Sequence, residues 1–291
     1  MDDSPRDAAL AGVFPAAVRA VKTGDVERLR RLLGERPELA NACSQHGRTL
    51  LHHLCDWPGH WPREAETARA LFAAGADVNA RSGDPEAGET ALQWAASSDD
   101  AAMAELLLDA GAPVDGLNDD RRPLAQALWY GCEQVAATLV RRGAALDLEL
   151  AAGLGRTDLL PACFDAGGGL LPSAGRHHPP INGAVVAAEP ADERLEQALV
   201  YAVIGGRVEA AAYLLERGAN VNAQPSGFDG RATALHYAAG GKVPGMVELL
   251  VGRGADLAAT DSRFGATPLG WAEHQKRQEM VELLRRLGAT R

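Results

Sequence analysis

Apolar residues fall along this chain in two alternating kinds of short run. Ala-rich runs that open on threonine are TALQWAASS (90–98), TALHYAAGG (233–241) and TPLGWAEHQ (267–275). About fifteen residues after such an opening comes a Leu-rich run with a glycine in it, as in ALFAAGADVN (70–79), LLLDAGAPVD (106–115), LLERGANVNA (214–223) and ELLVGRGADL (248–257). With the threonine as position one, the closing glycine stands at position twenty-two in Thr90/Gly111, Thr233/Gly254 and Thr267/Gly288. The same frame fits Arg122/Gly143, Leu146/Gly167 and Gln197/Gly218. A first copy starts near Pro15, and a second starts at Thr49 but closes five residues late, at Gly75. Eight copies therefore tile the chain from about residue 15 onward, each predicting a pair of short helices.

Each recurring residue has a physical task. Threonine caps the first helix, paired alanines let neighbouring helices approach, and Gly24, Gly131, Gly155 and Gly206 permit the turn between helices. Leucines of the second helix bury against the next copy, and the closing glycine supplies a left-handed cap. One such unit cannot cover its own apolar face, so the copies must stack. The motifs TALHYAA, GADVNA and GANVNA resemble those of ankyrin-repeat proteins over nearly the whole chain. That resemblance implies an all-α solenoid of about eight helix-turn-helix repeats with short β-hairpin fingers. It also implies a recognition scaffold with no chemistry of its own.

Departures from the pattern divide the chain. Residues 1–14 read as an N-terminal tail, 15–167 as repeats one to five, 168–193 as an irregular insertion or hinge, and 194–291 as repeats six to eight. Copies four and five start only twenty-four residues apart, which trims the finger between them, and Pro161 breaks the expected second helix of copy five. The run from Gly167 to Glu193 is rich in Gly, Pro and Ser and far too long for an ordinary connection. Its part from His177 to Ala191 is expected to be mobile.

Composition narrows the partners. A net charge of −10 argues against nucleic acid, which asks for a basic stripe. No run of about eighteen apolar residues is present to span a membrane, and the acidic start MDDSPRDAAL lacks the cationic-then-apolar layout expected of a signal peptide. Four scattered cysteines make no disulfide framework. A cytoplasmic protein without a cofactor is expected.

The stretch LLHHLCDWPGHWP, residues 50–62, concentrates the chemistry. His52 falls on the histidine of the T-P-L-H motif, as His236 does, and the resemblance gives both a structural bond to backbone near the adjacent finger. The five extra residues lie in the turn DWPGHWPRE, where Trp57 and Trp61 are expected to pin an enlarged loop. A D-W-P-G-H turn also resembles a subgroup of bacterial ankyrin proteins. Cys43, His46, His52, His53, Cys55 and His60 offer metal-ligand atoms but lack paired spacing, so no metal site is expected. No P-loop and no recognisable nucleophile motif occurs.

Positions five, eight and nine of each first helix are expected to face a concave groove. Seven of the nine Trp and Tyr residues fall there: Trp57, Trp94, Trp129, Tyr130, Tyr201, Tyr237 and Trp271. With His53, Asp56 and His274 they form the candidate binding set for a protein or peptide partner. The alternative is a small organic ligand in the same groove, with His53 and Asp56, one helical turn apart, as an acid–base pair.

Overall fold

The computed structural model describes residues 5–84, 87–180, 192–228 and 230–290. It divides into two compact units, Met1–Ala144 and Ala145–Arg291. The boundary lies ahead of the fifth copy rather than at the long insertion.

The first unit holds four consecutive helix pairs. They are α1 (Phe14–Thr23) with α2 (Val26–Glu35), α3 (Leu50–Cys55) with α4 (Glu64–Ala73), α5 (Ala91–Ser97) with α6 (Ala101–Asp109), and α7 (Arg122–Tyr130) with α8 (Glu133–Arg141). First helices pack on first helices, α1 on α3 on α5 on α7, and second helices follow suit from α2 to α8. Leu29, Leu50, Leu54, Leu71, Leu92, Leu107, Leu124 and Leu139 are buried between them. Each contributes about 1.5–3 kcal/mol by leaving water, and the burial is shared between packing within a pair and packing on the neighbouring pair.

The second unit begins with α9 (Leu148–Leu154), whose partner is only a 3₁₀ turn, Leu160–Cys163, with Pro161 near its start. There follow α10 (Arg194–Ile204) with α11 (Val208–Glu216), α12 (Ala234–Gly240) with α13 (Pro244–Gly252), and α14 (Pro268–His274) with α15 (Gln278–Arg286). Helix α9 packs directly on α10, so the fifth and sixth repeats are stacked neighbours despite the chain between them.

What joins successive repeats is a capped helix start. In α3 the Thr49 N–H and hydroxyl reach Nδ1 of His52 at 3.2 and 2.9 Å, while Nε2–H donates to the Glu89 carbonyl at 2.9 Å. Thr233 and His236 repeat the arrangement at α12, with Nε2 on the Ala266 carbonyl at 3.0 Å. The predicted structural role of both histidines is therefore realised. In the third repeat Gln93 takes the place of histidine and accepts the Thr90 N–H at 2.9 Å.

Hairpin fingers are sparser than expected. Among the described residues one pair of two-residue strands forms, β1 (Arg81–Ser82) against β2 (Glu89–Thr90). Elsewhere asparagines tie neighbouring fingers together instead. Asn41 donates to the Gly75 carbonyl and accepts the Asp77 N–H, and Asn222 does the same with Gly254 and Asp256. Side-chain bridges between fingers replace backbone ladders within them.

Three segments depart from the sequence expectation. Residues 5–14 do not trail free: Leu10 is buried, Pro5 bridges Ser44, and Arg6 N–H donates to the Cys43 carbonyl. In the enlarged turn, Trp61 lies under Lys22, with Nζ 5.6 Å from its ring, but Trp57 is 78% exposed and pins nothing. That turn rests against the preceding one. Gly24 has φ 68°, and a Cβ there would lie 2.3 Å from the Pro62 carbonyl oxygen.

The described part of the insertion, up to residue 180, is fastened to its own unit; residues 181–191, where the rest of the expected mobile stretch falls, lie outside the described residues. His177 Nδ1 meets Glu149 at 2.8 Å, and His178 Nε2 meets Asp147. The Tyr201 hydroxyl donates to the His178 carbonyl at 2.6 Å, and Arg194 donates to the carbonyls of Leu171 and Gly175.

Two predictions follow from these contacts. Deleting residues 267–291 removes α14 and α15 and uncovers Leu235, Met246 and Leu250, all buried in one cluster with Leu269 and Leu284. The melting temperature is expected to drop by several degrees, and an unchanged thermal melt would contradict the stacking. The second concerns acid. Burial, opposed only in part by the Glu89 carbonyl, lowers the His52 pKa from 6.5 to about 4. Between these values the unfolded chain binds a proton that the folded chain refuses. Stability is then full above pH 6.5 and falls by up to about 3 kcal/mol as pH drops toward 4. Denaturant melts of the protein and of His52→Gln at pH 7 and 4.5 test this, because glutamine accepts the same N–H without titrating. The variant should show the smaller acid loss, with a remainder from His236, whose pKa burial also lowers.

Candidate functional site

In the second unit the aromatic residues form a row in which most members cover one another. Phe228, from the connection between α11 and α12, lies 5.5 Å from Tyr201, 6.3 Å from Tyr237 and 4.9 Å from His177. Tyr237 meets the edge of Trp271 at 5.5 Å. Tyr201 is fully buried, and burial, together with the Glu149 and Asp147 carboxylates, pushes its hydroxyl well above the ordinary range. It is a core residue, contrary to its expected place on a groove. Tyr237 is half-buried and serves mainly as packing between Phe228 and Trp271.

The row ends in open space. Asp261 accepts N–H bonds from Arg263, Phe264 and Ala266 at 2.9, 2.7 and 3.1 Å and the Trp271 indole N–H at 3.0 Å. Burial alone would raise this carboxyl, but the four donors outweigh it and hold it below its ordinary value. The carboxylate thereby fixes a tight turn and the indole together. The turn projects Phe264, which is 71% exposed. Between that ring and α14 opens a cleft of about 370 Å³ lined by Phe264, Ala266, Gly270, Trp271, His274 and Gln275. Gly270 keeps the helix side of the cleft free of a side chain. Trp271 and His274 were expected at the site; Phe264 was not, because it lies on a finger outside the helical positions.

The first unit arranges its candidates differently. Trp94 is half-buried between the Arg48 guanidinium, 5.0 Å from its ring centroid, and the edge of His52 at 5.2 Å. Trp129 is half-buried, Tyr130 is 53% exposed, and Trp57 faces solvent. Burial, then Glu89 and Cys132, raise the Tyr130 hydroxyl.

The proposed acid–base pair does not present itself to solvent. His53 has 0% exposure and packs against the Phe14 ring at 6.0 Å, because α1 lies directly on α3. Asp56 faces Lys22 at 3.6 Å and Arg48 at 3.9 Å. A buried imidazole cannot reach a substrate in a groove.

Among the described residues one group of three metal-ligand side chains converges: His60, Glu64 and Asp100. Of the sequence candidates only His60 belongs to it. Cys55 is buried, and that burial, with Asp100 and Glu64 nearby, pushes its thiol well up.

Comparison with family models agrees with this architecture. Residues 63–149 match a family model described as ankyrin repeats (3 copies), and residues 199–250 match one described as ankyrin repeats (many copies). Among solved structures, the human ASB11 ankyrin repeat domain is similar at 21% identity and a TM-score of 0.45, with 94% of this chain and 98% of that one covered. The same threonine-opened, glycine-closed helix pair is thus matched in both units, and the chain carries ankyrin repeats in each.

Proposed function

We propose that this chain is a recognition scaffold that binds a protein or peptide segment, with the cleft of the last repeat as its anchor point. Ankyrin repeats generally serve as protein-interaction scaffolds, and the single observation that carries the finer reading is the exposed Phe264 beside Trp271. A large aromatic side chain held out in water costs solubility unless something covers it. Here a buried carboxylate holds the turn that displays it. Apolar walls of this size accept one aromatic or aliphatic side chain of a partner. The net charge of −10 favours a segment flanked by basic residues.

A small organic ligand is the second reading, and its volume argument is real, since ligand pockets begin near about 300 Å³. The observation against a catalytic version is the burial of His53, which takes the expected acid–base pair out of the groove.

The test is selection of peptides from a displayed random library on the immobilised protein, followed by affinity measurement on variants. Phe264→Ala combined with His274→Ala should weaken the selected peptides at least about tenfold. The melting temperature should hold, because both side chains are exposed and their removal costs within about 0.5 kcal/mol each. Undiminished binding by this variant overturns the assignment. Loss of binding in Tyr130→Ala instead would move the site to the first unit.

A further inference from the structure

The turn DWPGH, which the binding reading leaves unused, brings an imidazole over two carboxylates. His60 stands at its end with φ 56°, and its side chain is 60% exposed. Glu64 opens α4 and is half-buried. Asp100 belongs to the next repeat, where its Oδ1 caps α6 by accepting the Met103 N–H at 2.9 Å. Asp100 has 0% exposure. Its second oxygen, Oδ2, makes no hydrogen bond and lies 3.8 Å from His60 Nδ1. Glu64 Oε2 is also buried without a hydrogen-bond partner. One nitrogen or oxygen from each of the three residues lies within 4.8 Å of the others.

This arrangement calls for a positive charge. Helix capping needs only one oxygen of Asp100, so the second is left in a buried place with nothing to satisfy it, which is costly for an ionised group. Two ionised carboxylates cannot bond to each other; either a proton or a cation between them resolves the pair. Burial, then the neighbouring Asp100, already raises the Glu64 carboxyl above its ordinary value. Gly59, next to His60, packs close over Asp100. A Cβ on Gly59 would sit 3.3 Å from the Ser98 Cβ and 3.6 Å from Asp100 Oδ2, in a residue whose φ is 71°.

We propose that His60, Glu64 and Asp100 form a divalent-metal site of the first transition row, suited to Zn²⁺, that ties the second repeat to the third. One imidazole nitrogen with two carboxylate oxygens is a borderline donor set; calcium and magnesium take oxygen ligands almost alone. Around a tetrahedral zinc with bonds of about 2.0–2.1 Å, donors stand about 3.3 Å apart. His60 and Asp100 are close to that already, and the exposed imidazole is the member free to complete it. Its exposure is also the entry path. The remaining position would be taken by water, and the role is to brace two stacked repeats.

The experiment uses the full chain, freed of metal by chelator and titrated with Zn²⁺ by calorimetry, with Co²⁺ as a spectroscopic stand-in. One equivalent of Zn²⁺ should bind with a dissociation constant at or below the micromolar range and raise the melting temperature. His60→Ala and Glu64→Gln should each weaken binding at least about tenfold. His60→Ala removes an exposed side chain and keeps the fold, so a loss there is a loss of ligand. The Co²⁺ form should lack a thiolate charge-transfer band. No zinc binding by the parent chain, undiminished binding in both variants, or a thiolate band from Cys43 or Cys55 would each overturn the proposal.

Discussion

A neutral imidazole ring bridges one repeat to the next in each unit. Nδ1 of His52 can accept the Thr49 N–H only while unprotonated, and Nε2–H can reach the Glu89 carbonyl only in that tautomer. The ring therefore reports on two elements at once, the start of its own helix and the finger of the following repeat. Stacked repeats have few contacts between residues distant in sequence, so such links set how neighbouring copies register. The leucine core supplies most of the stabilisation, but leucines alone would tolerate sliding. The directional bonds of His52 and His236 do not.

Within the second unit the same logic extends to chain that has no repeat pattern. The fifth repeat lacks a second α-helix, and the residues that follow are fastened by charged contacts at the start of α9. Glu149 and Asp147 are both buried, and each meets one histidine of the pair His177–His178. Carboxylates placed so deeply require such partners. An insertion that reads as loose in composition thus carries two residues that hold it down.

The repeats were legible because capping and turn chemistry demand particular residue types at fixed spacing. Thr90, Thr233 and Thr267, with the glycines that close their copies, needed no structure to be recognised. Groove residues were less legible, since helix position alone does not say which neighbour covers a side chain. His53 lies under Phe14, and Tyr201 lies under Phe228, each from a different element. Phe264 escaped notice because it sits on a finger, and its exposure depends on the bonds around Asp261. The convergence of His60 with Asp100 joins residues forty apart, which no local spacing reveals.

The contact of Gly24 with Pro62 couples two turns that lie far apart in sequence. Its consequence is one of inheritance. Any side chain at position 24 would collide with the Pro62 carbonyl, so the enlarged second turn can persist only in lineages that keep glycine in the first. A shorter second turn would remove that collision, while the φ of 68° would still favour glycine at position 24. A swap of this turn into another repeat array would need a glycine at the matching position of the preceding repeat.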